Sequence, residues 1–119
     1  MANNYTFFLD ATSNGTSLWP VILSPDDWGS AYPPSDRPVM VRATVNGTGA
    51  VTATYTIYFG SMMAGSIVYD TNPSATIILS GTTVDTGSTI FTIMPNKYWK
   101  VVLSNLTGTD AKTTCVAEY

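Results

Sequence analysis

The stretch that decides the fold is PVMVRATVNGTGAVTATYTIYFG, residues 38–60. From Val51 to Phe59 it alternates strictly: Val51, Ala53, Tyr55, Ile57 and Phe59 share one side, while Thr52, Thr54, Thr56 and Tyr58 share the other. A period of two with one apolar and one polar row is the mark of a strand in an antiparallel sheet with one dry face. The run is broken at Asn46-Gly47-Thr48-Gly49. Asn-Gly is a strong turn signal, so the sequence predicts a β-hairpin with arms 39–45 and 50–60.

A second copy of the pattern closes the chain. At an offset of 61, PVMVRATVNGTGAVTATY (38–55) lies over WKVVLSNLTGTDAKTTCV (99–116). The pairs Val41/Val102, Gly47/Gly108, Thr48/Thr109, Ala50/Ala111 and Thr52/Thr113 are identical. A second hairpin is therefore expected, with arms 98–103 and 112–116, and Trp99 facing inward.

Outward from these two pieces, Tyr5 to Leu9 and Leu18 to Leu23 read as short strands, the second limited to an edge or a strand start by Pro20. Residues 66–69, 75–79 and 89–94 also read as strands. Ser80 to Gly87 reads as a loop, and Pro95-Asn96-Lys97 as a turn. The segment Ser24 to Pro38 holds four of the seven prolines together with Trp28 and Tyr32. It reads as a Pro/aromatic-rich loop, with room for one helical turn from Pro25 capped by Ser24. Eight or nine short strands and no helical periodicity predict one all-β domain over residues 1–119. The expected architecture is an antiparallel β-sandwich or a jelly-roll-like small barrel.

Composition narrows the chemistry. The chain is 45% hydrophobic but only 11% charged, against about 25% charged in an ordinary soluble domain. Thr, Ser and Asn replace the missing charge, and branched Thr suits a pleated surface. Such a surface fits either a monomer with a threonine-rich exterior or a protein that lies against neighbours. The net charge is −3, and the five cations (Arg37, Arg42, Lys97, Lys100, Lys112) are scattered, so no basic face for nucleic acid is expected. There is no histidine, which removes the commonest general base and the commonest transition-metal ligand. The single cysteine, Cys115, reads as a buried thiol. Asp26, Asp27 and Asp36 share a loop but lack the spacing of a calcium ladder. No catalytic residue, cofactor or metal is expected. The N-terminus lacks the pattern of a signal peptide, and no apolar run is long enough for a membrane helix. A protein made in the cytosol with no membrane partner is the expectation, and the four Asn-x-Ser/Thr sequons are discounted.

The order of motifs carries a resemblance. VRATVNGTGAVTATYTIYFGS, then ATIILSGTTVDTG, then a Tyr-Trp-Lys strand into LSNLTGTDAKTTCVAEY resembles small structural proteins of tailed bacteriophages, over about residues 37–119. The resemblance implies a virion component on the capsid surface, a decoration (cement) protein whose partner is the major capsid protein and which self-associates as a homotrimer. It carries over no functional residue. The residues whose chemistry suits contacts with a neighbouring subunit are Phe7, Phe8, Trp28, Tyr32, Pro33 and Pro34. Two other functions remain open on the sequence: a tail, neck or fibre-associated virion protein, and a carbohydrate-binding β-sandwich using exposed Trp19 or Trp28.

Overall fold

The computed structural model describes residues 4–19, 38–92 and 98–118. Among them are six strands and no helix. These are β1 (Asn4–Ala11), β2 (Gly15–Trp19), β3 (Pro38–Met63), β4 (Ser66–Tyr69), β5 (Ala75–Thr92) and β6 (Tyr98–Glu118). All pairings are antiparallel. β3 runs the length of the sheet between β6 and β5. β1 and β2 follow each other along the far side of β6, and β4 continues the side of β3 that β5 occupies. The result is an antiparallel sheet curled into a half-barrel. The expected Pro/aromatic loop 24–38, its helical turn and the turn at 95–97 lie outside the described residues, apart from Pro38 at the start of β3.

The all-β class holds, but its strands are few and long, and the reason lies at Asn46-Gly47-Thr48-Gly49. This segment does not reverse the chain. Both flanks of β3 pair with β5, from Pro38 opposite Thr92 to Ile57 opposite Ala75, and with β6, from Met40 opposite Glu118 to Gly60 opposite Tyr98. Pairing each arm with two long neighbours satisfies more backbone groups than folding the arms on each other. The glycines serve a corner instead, marked by a register shift between Asn46 and Ala50 and by Gly49 at φ 73°. The expected second hairpin is likewise one continuous strand, β6, shifted in register between residues 104 and 112. The expected loop at 80–87 is the corner of β5.

The corners coincide across the sheet. Asp10, Gly49, Thr83, Asn105, Gly108 and Asp110 all have positive φ, and each lies where its ribbon turns. Extra residues in left-handed conformation are how a strand bends sharply without losing its ladder on either side. Asp85 holds the corner of β5: its carboxylate accepts from the backbone N–H of Ser80 at 2.9 Å and of Thr86 at 2.9 Å. The one tight hairpin among the described residues is Ala64-Gly65, between Met63 and Ser66, with both residues at positive φ as a type I′ turn requires.

Bending brings the two arms of the sheet together over a single core. Val39, Val41, Ala43 and Val45 before the corner, and Val51, Ala53, Tyr55 and Ile57 after it, are all buried on the same face. Ile77, Leu79, Trp99, Val101, Leu103, Cys115 and Ala117 complete the cluster. Phe7, on the ribbon beside residues 115–116, packs with its ring centre 4.9 Å from that of Trp99, the planes tilted by 60°; Trp99 lies at the other end of β6.

The 61-residue repeat does not place equivalent side chains on equivalent faces. Val41 is fully buried, whereas Val102 is half-buried on the outer face. The offset is odd while the β3–β6 register pairs residues of like parity, so aligned residues point opposite ways. The two copies pair along their length, but equivalent positions oppose each other only at the corner, where Thr48 faces Thr109. There the glycines are reciprocal. A Cβ on Gly47 would sit 2.9 Å from the Thr109 carbonyl oxygen, and one on Gly108 would sit 2.9 Å from that of Ala50.

Candidate functional site

The half-barrel's outer face carries the features most suited to a function. Along β3, Thr44, Thr52, Thr54 and Thr56 form a row; Thr76, Ser80, Thr82, Thr86 and Ser88 of β5 lie beside it. Several of the hydroxyls bond among themselves or to backbone carbonyls. Thr44 donates to the Asp85 carbonyl at 3.1 Å, and Thr86 donates to Thr44 Oγ1 at 3.3 Å. Thr52 donates to the Asn105 carbonyl at 2.7 Å, which leaves the Thr107 hydroxyl, 2.6 Å away, as donor to Thr52 Oγ1. The surface is polar, yet these groups are partly satisfied within the sheet, so covering them costs less than burying bare hydroxyls.

Between the threonines stand exposed aliphatic side chains. Ile78 is 73% exposed, Ile90 63% and Val84 55%, all on β5. Leu9, Leu18, Met63 and Val68 are exposed elsewhere on the sheet. Single exposed aliphatics are ordinary; several on an otherwise nearly uncharged sheet mark a surface suited to being covered.

Charge is sparse and local. Lys100 Nζ lies 4.6 Å from the centre of the Tyr69 ring and 5.4 Å from that of Tyr58, an arrangement that fixes the ammonium by its attraction to the ring faces. Partial burial raises the Tyr69 hydroxyl pKa above its ordinary value. A depression of about 190 Å³ is lined by Arg42, Thr44, Thr86, Thr114, Val116 and Glu118. Another of about 320 Å³ lies at the corner beside Thr12, Leu106, Asp110 and Lys112. Each is lined by one carboxylate and one cation, Glu118 with Arg42 and Asp110 with Lys112, and among the described residues no cluster of three or more His, Cys, Asp or Glu could hold a metal ion. Cys115 is buried, and burial pushes its thiol up to about 12, which keeps it protonated and unreactive. No helix among the described residues is long and apolar enough to cross a membrane.

The contact residues expected from the sequence separate in the structure. Phe7 is in the core against Trp99. Phe8 is half-buried, its ring 5.6 Å from that of Tyr55. Both rings are thus largely used inside the protomer. Trp28, Tyr32, Pro33 and Pro34 lie outside the described residues. The exposed aliphatics of β5 were legible only as members of strands and of a loop, because their exposure depends on the loop being a strand.

No family model matches the chain, and no curated protein or solved structure does. The resemblance to small phage structural proteins therefore stands on motif order alone, and its two Thr-Gly segments are corners here, not hairpin turns.

Proposed function

We propose that the chain is a non-enzymatic structural protein of a tailed-bacteriophage virion, a decoration protein that lies on the outside of the capsid and links neighbouring major capsid subunits. The observation that carries this reading is the outer face: threonine and serine rows with exposed Ile78, Val84 and Ile90, almost without charge. A catalytic protein concentrates titratable groups in a cleft. This sheet spreads adhesive, weakly polar surface instead. The order of motifs in residues 37–119 supports the virion setting. Decoration works by repetition, since many modest contacts on one shell add through effective concentration.

The test is co-sedimentation of the purified protein with expanded, DNA-free shells of the phage that encodes it. Saturable binding in a fixed ratio to the shell protein is expected. A protein that stays in the supernatant at every ratio defeats the proposal.

A further inference from the structure

The outward row of β5, residues 78 to 90 taken alternately, reads the same in both directions about Val84. Outward from that residue, the row runs through Thr82 and Thr86, then Ser80 and Ser88, then Ile78 and Ile90, all exposed; exposed Thr83, off the row, stands opposite Asp85 across Val84. Gly81 and Gly87 match as well. The symmetry falls on an edge: among the described residues β5 pairs with β3 alone, leaving its other side open over an 18-residue strand. Open edges are ordinarily blunted by lysine, proline or interruption. β5 has neither lysine nor proline. The opposite edge of the sheet is broken into β1 and β2, whereas β5 is one continuous strand whose register with β3 shifts only at the corner.

We propose that β5 is a two-fold interface at which a second copy of this chain pairs antiparallel, with the dyad at Val84. In that register Ile78 faces Ile90 of the second copy and Val84 faces its own equivalent. The three exposed aliphatics of each β5 thereby cover one another. Self-complementarity of one patch is what a two-fold contact demands and a three-fold contact does not. The dimer accordingly stands in place of the homotrimer expected from the sequence.

The fold already contains one pairing of this kind. β3 and β6 are both bent, run antiparallel and bring their corners together at Thr48 and Thr109. Two β5 strands joined about Val84 would bring their corners together in the same way. Asp85 is the only charge on β5, and its two carboxylate oxygens already accept from Ser80 and Thr86 N–H. The corner therefore asks little of a partner, and the arms 75–79 and 89–92 make the ladder. This interface does not depend on the virion reading.

Sedimentation equilibrium and site-directed cross-linking test it on the full chain. The wild type is expected at twice its 12.7 kDa mass. Under mild oxidation Val84→Cys should cross-link to itself. Ile78→Cys and Ile90→Cys should each fail alone and cross-link when mixed. These sites are exposed, so the variants should fold, and circular dichroism checks that they do; Cys115 is fully buried and takes no part. A monomer or a trimer at the highest soluble concentration overturns the proposal. So does a dimer in which Ile78→Cys links to itself as readily as to Ile90→Cys, or in which Val84→Cys does not link.

Discussion

The hydroxyl of Tyr55 lies 2.6 Å from Thr113 Oγ1, although the two residues belong to opposite arms of the sheet. In the ladder Tyr55 opposes Leu103 and Thr113 opposes Val45. In a straight strand, Leu103 and Thr113 would be roughly 33 Å apart. The bond exists because the sheet folds over at its corner. Thr113 donates its own proton to the Thr44 carbonyl at 2.8 Å, so the phenol of Tyr55 is the donor to Thr113.

Removing either hydroxyl tests that link. Tyr55→Phe should cost about 1 kcal/mol, the net worth of a hydrogen bond. Thr113→Val should cost more, roughly 1–3 kcal/mol, because it strands a buried phenol donor and deprives the Thr44 carbonyl of a partner. Urea unfolding of both single variants and the double variant gives the coupling energy. Additive losses would mean that the hydroxyls do not interact.

Alkaline pH should unfold the protein through two buried acids. Burial raises Cys115 from 9.0 to about 12 and raises Tyr55 as well, with burial again the main cause. Both groups are neutral when protonated, so the native state holds its protons more tightly than the unfolded chain does. The stability they contribute is complete below the unfolded pKa near 9.0 and declines as pH rises toward about 12 for Cys115. The slope approaches about 1.4 kcal/mol per pH unit for each group. Urea melts between pH 8 and pH 11 check this, and Cys115→Ala should flatten the lower part of the decline.

The corner glycines should differ in tolerance. Gly49 has φ 73° but open space around it, so Gly49→Ala should cost about 1 kcal/mol of conformational strain. Gly108 combines φ 127° with a Cβ position 2.8 Å from Val51 Cγ1 and 2.9 Å from the Ala50 carbonyl oxygen. Gly108→Ala should be markedly more destabilising, since backbone and core must both move. Thermal unfolding ranks the two; equal losses would contradict the close approach of β3 and β6 at the corner.

Depth should outrank hydrophobicity along the sheet. Ile57 is fully buried and Ile78 is 73% exposed. Ile57→Ala should lose about 2–5 kcal/mol through cavity formation. Ile78→Ala should change protomer stability by no more than about 0.5 kcal/mol, measured under conditions where the protein is monomeric.

The local pattern was readable where one physical cause acted. The alternation of residues 51–57 gives the buried row Val51, Ala53, Tyr55 and Ile57 correctly, and Trp99 and Cys115 are inside as their chemistry suggests. The failure came at glycines. Gly49 and Gly108 have positive φ and Gly47 admits a neighbouring strand at close range, and glycines of this kind suit a hairpin turn and a strand corner equally well. Only the partners on both sides of β3 distinguish them, and those are non-local. Ala64-Gly65, the hairpin that does form, lacks the Asn or Asp that announces such turns. The outer face was hidden for the same reason: Val84 and its flanks belong to a surface only once residues 80–87 are part of a strand.

The proposed function is tested most directly by counting this chain in purified virions of the phage that encodes it, by quantitative mass spectrometry against the major capsid protein. The decoration role predicts a high copy number in fixed ratio to the shell protein. A dozen copies or fewer would place the chain in the neck or tail, and its absence from the virion would contradict the account.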